Sequence, residues 1–393
     1  MGKTRYCHCG ICKKDNKNIM RLLERINRIL LIVRCIIRGI FYGVANRVPK
    51  NISTVMVVPT GKLGDVVCAT PVLHAIRTYL PKVRIIVAGN TKLHRALLSN
   101  SGLVDDYIDL EENGAVARIK EYNAGAALVT GPSFTATALM YLSGIPLVVA
   151  ARVEGGFSPS ETRPYKILKK FITTFPYRMG EYAPRERLKV LESLNIFTED
   201  TTKHLAFSSE ANNKAQELFG QYKDRILIGI SPSAGNKIKE WPVDRFAEVA
   251  NYIALKYNAV IVIVGGQNDT KYSEKMRSGL NKEIQYIDTT GTLSIDELKA
   301  TISKLNLFVS VDTGPIYIAE AFNVPTVDIV GPMDEREQPP IGKLHKIVVT
   351  PRKKPELHIL NARMYNKKEA RRQTLSVSTQ DVIDEIDGLI DVI

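Results

Sequence analysis

Cysteine is confined to the first 68 residues of this 393-residue chain: Cys7, Cys9, Cys12, Cys35 and Cys68 are its five, and none follows. A disulfide framework needs pairs spread across the fold, so that class is excluded and a reducing compartment is expected. No GxxxxGK[ST] loop occurs, which removes a Walker-type nucleotide site. The turn Gly61–Asp65 also lacks the spaced glycines of a dinucleotide fingerprint. With 45% hydrophobic and 24% charged residues the chain is neither disordered nor fibrous. Its length suits two domains plus appendages.

The net charge of +13 is not spread over the chain. Residues 1–50 hold twelve Lys and Arg against Asp15 and Glu24, a net +10, which leaves +3 for the other 343 residues. A nucleic-acid partner is therefore not expected of the body of the protein, and the basicity belongs to an N-terminal arm. Within that arm, over residues 19–44, Leu22, Ile26, Ile29, Val33, Ile36, Ile37, Ile40 and Val44 recur at helical spacing, with Arg21, Arg25, Arg28, Arg34 and Arg38 on the other side. An apolar face opposite an arginine-rich one is the pattern of a helix lying in an anionic membrane surface. A helix packed on its own protein or on a partner subunit has the same periodicity. A transmembrane span needs about 20 apolar residues, and Arg34 and Arg38 interrupt the run. A secretory signal fits poorly, since no small-residue cleavage site follows. The cluster Cys7-His8-Cys9-Gly10-Ile11-Cys12 offers metal ligands, but a tetrahedral site draws on two separated pairs and no second pair lies downstream. Free thiols and a partial metal site both remain open there.

After Pro49 the texture changes to strand–turn–helix–strand units, which imply parallel sheets. In the first half, strands are expected at 53–59, 83–88, 107–110, 126–130 and 147–151, and a helix over 66–79. Residues 155–184 read as loops and a helix. The pattern restarts at Arg225, with strands at 226–230, 259–264, 284–288, 307–311 and 326–330, helices over 243–257 and 316–322, and a terminal helix over 378–390. The expected fold is α/β, two Rossmann-like domains facing across a cleft. The divisions are a basic arm (1–50), a first domain (51–205), a second domain (206–350) and a C-terminal tail (351–393). Open α/β sheets bind ligands beyond the carboxyl ends of their strands. The turns Gly61–Asp65, Ser231–Gly235, Gly265–Asn268 and Asp312–Pro315 all follow strands and can converge there.

Three of these turns carry recognisable chemistry. Asp312-Thr313-Gly314 opens a helix whose free N–H groups suit a phosphate, although Asp or Thr also serves there as a plain cap. Lys239 can neutralise a diphosphate, and Ser231, Ser233 and Gly235 on the same loop are small enough for close approach. Asp65 sits at a strand-to-helix turn where the helix dipole favours negative charge, and a carboxylate there can act as a general base toward a hydroxyl.

In this order the segments resemble glycosyltransferase family 9, the ADP-heptose:lipopolysaccharide heptosyltransferases. The likeness rests on Leu63-Gly64-Asp65-Val66-Val67 with Ala69–Leu73, on Ser231–Gly235 with Lys239-Glu240-Trp241-Pro242 and Arg245-Phe246, on Gly265-Gly266, and on Asp312–Pro315 with Ala319 and 324–334. The resemblance implies a GT-B fold and inverting, metal-independent transfer from a nucleotide sugar with no cofactor. It assigns Asp65 as the base, with Lys62 and Gly64 on the acceptor side. It places Ser233, Ala234, Gly235, Lys239, Gly265, Gly266, Gln267, Asp312, Thr313, Gly314 and Tyr317 around the donor. The implied donor is ADP-heptose, and the implied acceptor a lipopolysaccharide core or related lipid-linked glycan. The implied location is the cytoplasm, at the inner face of the cytoplasmic membrane. Tyr317 and Ser231 stand where relatives usually carry His, Ala234-Gly235 replace a hydroxyl pair found in some members, and residues 352–372 lack the cysteines many relatives have there. These departures bear on the identity of the sugar. Other functions compatible with the same architecture are a protein-directed heptosyltransferase, a nucleotide-sugar epimerase, which needs acids in both halves, and a non-catalytic membrane scaffold.

Overall fold

Short runs of Val, Ile and Ala, buried on both faces, form the central strands of two parallel six-stranded sheets. A computed structural model describes residues 10–390, with side chains from residue 25 onward. In the first half the strands are β1 (Thr54–Val58), β2 (Arg84–Gly89), β3 (Asp106–Asp109), β4 (Ala126–Val129), β5 (Leu147–Glu154) and β6 (Thr173–Arg178). They lie in the order β3-β2-β1-β4-β5-β6. The second half repeats the plan with β7 (Leu227–Ser231), β8 (Val260–Ile263), β9 (Tyr286–Asp288), β10 (Leu307–Val311), β11 (Thr326–Ile329) and β12 (His345–Val348). Its order is β12-β11-β10-β7-β8-β9. All strand pairs are parallel. Each sheet therefore reverses its winding between its first and fourth strands, β1 beside β4 and β7 beside β10, and a crevice opens at each reversal.

Two local expectations need correction. The helix expected over 66–79 is two helices, α2 (Leu63–Val67) and α3 (Thr70–Tyr79), separated at Cys68-Ala69. Pro71 lies in the first turn of α3, where its missing N–H costs nothing. Residues 155–184, expected as loops and a helix, contain β6, which pairs with β5 along six residues. The polar and aromatic content of an edge strand hid its periodicity. The C-terminal helices Lys367–Ser376 and Thr379–Ile390 are part of the second half: Val377, Val382, Ile383, Ile386 and Leu389 enter its core.

The N-terminal helix α1 (Gly10–Tyr42) packs on the first domain through Leu31, Ile32, Cys35 and Ile36, beside Tyr141 and Phe171. Gly39 lies against the Phe171 ring. After α1 the chain joins the sheet, with Ala45 N donating to Phe171 O and Val148 N to Ala45 O. Most of the apolar arc expected from sequence faces away from the protein. Ile26, Ile29, Val33, Ile37, Ile40 and Val44 are exposed, with Ile40, Phe41 and Tyr42 each about three-quarters accessible. Among the described residues no helix is long and apolar enough to cross a membrane. Cys7 and Cys9 lie outside the described residues, as does the side chain of Cys12, and the metal-ligand reading of that cluster lies outside them too.

The two halves share one continuous core, in which Val66, Val67 and Cys68 of the first meet Ile316, Tyr317 and Ile318 of the second. A β-carbon on Gly64 would fall 2.7 Å from the Tyr317 ring, and one on Gly314 would fall 2.5 Å from Leu63 Cδ2. Only glycine lets α2 and the helix Gly314–Ala321 approach this closely. Replacement of Gly64 by Ala is expected to destabilise the protein by about 1–3 kcal/mol through overpacking. Gly220→Ala, whose β-carbon meets nothing within 4 Å, should stay within about 0.5 kcal/mol of the parent. Denaturant melts of both variants test this, and equal stability would show that the contact is looser than described.

Candidate functional site

Both winding reversals open onto one cleft of about 590 Å³ between the domains. Thr60, Gly61, Lys62, Gly64 and Asp65 after β1 line it, with Gly131–Thr135 after β4. From the second domain come Gly235, Asn236 and Lys239 after β7, and Asp312, Thr313, Gly314 and Tyr317 after β10. The cleft thus collects the strand ends on both sides of both reversals.

Asp65 is held at both carboxylate oxygens. Oδ2 accepts the Lys62 backbone N–H at 2.9 Å, closing the first turn of α2, and Oδ1 accepts from Arg187 Nη2 at 2.7 Å. Arg187, in the helix Ala183–Leu188, is almost wholly buried and also donates to Gln338 Oε1 of the second half at 2.8 Å. Asp65 itself keeps about a quarter of its side chain accessible to the cleft. One guanidinium therefore orients the first-domain carboxylate and ties it to the opposite domain. Lys62 Nζ reaches Gly235 O across the cleft at 3.5 Å.

On the facing side Lys239 Nζ pairs with Asp312 Oδ2 at 2.8 Å, and the Tyr317 hydroxyl donates to Asp312 Oδ1. Burial, then the charges of Asp312 and Asp328, raises the Tyr317 phenol well above its ordinary value, so it remains a neutral donor. Beneath them Asp328 is fully buried and neither of its oxygens has a partner among the described residues. Burial, reinforced by the Asp312 charge, pushes its carboxyl well above the usual range. Tyr317 thus bridges α2 and Asp312, its ring against Gly64 and its hydroxyl on the Asp312 carboxylate.

Of the sequence-derived residues, Lys62, Gly64, Asp65, Gly235, Lys239, Asp312, Thr313, Gly314 and Tyr317 come together in this cleft. Ser233, Ala234, Gly265, Gly266 and Gln267 do not line it. Ser233 is buried behind the loop, Ala234 packs on the second core, and the Gly265–Gln267 turn follows β8, where Asp269 Oδ2 accepts Gly266 N at 2.8 Å. Trp241 is an anchor rather than a lining residue: it is buried edge-on to Phe246 and donates Nε1–H to Val377 O at 3.0 Å. Sequence reasoning missed Arg187, Gln338, Arg28 of α1, the Gly131–Thr135 turn, His358 and Arg363. The rule that follows strand ends would have found Gly131–Thr135. Nothing local marks Arg187 or Arg28.

His358 closes the cleft from the C-terminal segment. Its Nδ1 lies 3.3 Å from Glu337 Oε1 and 3.5 Å from Asp334 Oδ2. Glu337 also accepts Gly180 N at 2.9 Å and Ile359 N at 2.6 Å, so this knot joins β6, the 331–338 loop and the 357–361 turn.

The chain itself matches a known family. Residues 134–365 match the model of glycosyltransferase family 9 (heptosyltransferase). The chain is 25% identical over 146 residues to lipooligosaccharide heptosyltransferase 2 of Haemophilus influenzae, across 36% of this chain and 42% of that protein. It therefore spans less than half the length of that curated relative. Its fold is similar to that of a family 9 glycosyltransferase from Veillonella parvula (TM-score 0.71, 20% identity, 88% of this chain and 100% of that one). It is also similar to the ADP-heptose lipopolysaccharide heptosyltransferase II of Escherichia coli (TM-score 0.68, 18% identity, 86% and 99%). At these identities the structural likeness is one of fold, and about 12% of this chain has no counterpart in the Veillonella protein.

The hydrogen bond with Glu337, with added attraction from Glu337 and Asp334, raises His358 above its ordinary value of 6.5. The stabilisation from its charged form is complete below pH 6.5 and is lost as pH rises through the raised value. A His358→Gln variant should lose this downward slope of stability above pH 6.5. Urea melts across pH 5.5–9 check it, and an unchanged slope would place the titration elsewhere.

Proposed function

This chain belongs to glycosyltransferase family 9, and from that premise we propose that it moves a sugar from a nucleotide sugar to a lipid-linked glycan of the lipopolysaccharide-core type. Heptose from ADP-heptose is the donor the reading favours, and inversion at the anomeric carbon the stereochemistry. One observation carries the reading: a carboxylate at the first winding reversal and a lysine with a helix N-terminus at the second share a single cleft. Asp65 accepts the proton of the acceptor hydroxyl as its oxygen bonds to the anomeric carbon. The bond from that carbon to the diphosphate breaks, and the nucleoside diphosphate leaves with the electron pair. Lys239, Lys62 and the N–H groups at the start of the helix Gly314–Ala321 receive the growing negative charge, supplying what a metal supplies in other folds. Asp312 pairs with the Lys239 ammonium, and an arriving diphosphate competes for it.

An epimerase reading is less well supported, because the second-domain acid in the cleft, Asp312, is already engaged by Lys239 and Tyr317. The exposed apolar arc of α1, with the exposed Arg25, Arg28 and Arg34 of the same helix, supports docking on an anionic membrane surface at the inner face of the cytoplasmic membrane. Each apolar side chain buried in the interface contributes about 1.5–3 kcal/mol and each basic residue about 1 kcal/mol. Because Arg28 also lines the cleft, this docking presents the acceptor side to the lipid.

Asp65→Asn is expected to lower kcat by about 10²–10⁴-fold, with donor affinity within roughly twofold. Release of nucleoside diphosphate from ADP-, UDP- and GDP-sugars, read alongside calorimetric donor binding, tests both parts. Undiminished turnover would remove Asp65 as the base, and failure of every ADP-sugar to bind would remove the heptose assignment. Ile40→Glu with Phe41→Glu should abolish sedimentation with vesicles containing phosphatidylglycerol. Persistent binding by that variant would rule out α1 as the membrane contact.

A further inference from the structure

Away from the cleft, two imidazoles meet where the chain crosses from the first domain to the second. His74 lies on α3, and His204 lies in the segment between Leu194 and the helix Ser209–Phe219. Their rings stack with centroids 3.7 Å apart and planes 16° from parallel. Asp200 reaches the same point, and one donor atom from each of the three residues lies within 4.8 Å of the other two. The arrangement is built from the backbone outward. His204 N donates to Thr70 Oγ1 at 3.0 Å, and Thr70 Oγ1 donates to Val67 O at 2.7 Å, which seats His204 at the first turn of α3, one turn before His74. Asp200 Oδ1 accepts Thr202 N at 3.0 Å, which turns its carboxylate back toward the segment.

His204 Nε2 is buried and has no hydrogen-bond partner among the described residues. Buried polar atoms are nearly always satisfied, so an orphan imidazole nitrogen beside a second imidazole and a carboxylate calls for something to bind there. A second grouping of possible ligands among the described residues, Asp334, Glu337 and His358, makes no such demand. Arg336 takes both oxygens of Asp334, and backbone N–H groups and His358 take those of Glu337.

We propose that His74, Asp200 and His204 form a structural site for one divalent cation of the zinc class, which clips the interdomain segment to α3. Two imidazoles and a carboxylate with water in the fourth position is a ligand set that zinc favours. Bonds of about 2.0–2.1 Å place tetrahedral ligands roughly 3.3 Å apart, so the stacked rings splay and close on the ion. The neighbouring residue explains what the clip does. Lys203 points the other way, pairing with Glu320 of the second domain at 2.7 Å and with the Tyr182 hydroxyl at 3.0 Å. Adjacent residues would then fasten one segment to both domains, and the cation would stiffen the hinge that sets the width of the cleft. None of the three ligands lines that cleft, so the site stands or falls separately from the glycosyl-transfer reading.

The test uses the full chain carrying Cys7→Ser, Cys9→Ser and Cys12→Ser, which removes competing thiols, and titrates it with Zn²⁺ and Co²⁺. One equivalent should bind by calorimetry, with the visible absorption of four-coordinate Co²⁺ and a raised melting temperature. His204→Asn and His74→Asn should each weaken binding at least roughly tenfold while melting like the parent without metal. Asp200→Asn, at an exposed position, repeats the measurement should a histidine variant fail to fold. Absence of a saturable equivalent, or parental affinity in the variants, overturns the proposal.

Discussion

The contact on which the site depends is the one between α2 and the helix Gly314–Ala321. These two helices begin at the winding reversals of their respective sheets, and each starts with a residue pair in which a glycine faces the other helix. Gly64 receives the Tyr317 ring and Gly314 receives Leu63. With no side chain at either position, the two helix starts close to van der Waals contact, and the groups they carry, Asp65 and Asp312, come to face one cavity. A larger residue on either side would wedge the domains apart. Gly314, in a turn read from sequence as a phosphate site, and Gly64, read as acceptor-side, also seat two protein surfaces on each other.

A layer of buried polar groups runs outward from that contact. Arg187 joins Asp65 to Gln338, Lys203 joins the interdomain segment to Glu320, and Lys299, wholly buried, donates to Leu97 O of the first domain and to Ala206 O. Such groups cost desolvation and return it only with good geometry. What they add to the apolar core shared by the halves is direction: an apolar surface can slide, whereas these bonds form at one relative orientation. That orientation sets where Asp65 stands relative to Lys239.

The architecture was largely legible in the sequence because parallel, doubly buried strands read as plain Val/Ile/Ala runs, each followed by a turn. β1, β2, β4, β7, β8, β10 and β11 are of this kind. β6 and β12 were missed because edge strands are half exposed and carry polar residues, and the α2/α3 break was missed because apolar periodicity continues across Cys68-Ala69. In α1 the helical period was right, but most of the apolar residues it picked out face away from the protein. A neighbouring stripe, Leu31, Ile32, Cys35 and Ile36, does the packing, since a helix apolar around much of its circumference does not say which side has a partner.

By itself, then, the sequence determined two Rossmann-like halves, their strand-end turns and the presence of Asp65, Lys239 and the Asp312–Gly314 helix start in those turns. These are local properties, written in spacing and residue type. Tertiary structure decided that Ser233, Ala234 and the Gly265–Gln267 turn stand back from the cleft. It also decided that Arg187, itself bonded to Gln338, holds Asp65 from 122 residues away in the chain, that Arg28 of the arm reaches the cleft, and that His74 meets His204. Those relations depend on how far two domains close on each other, a distance set by side-chain volumes at an interface and recorded in no single stretch of chain.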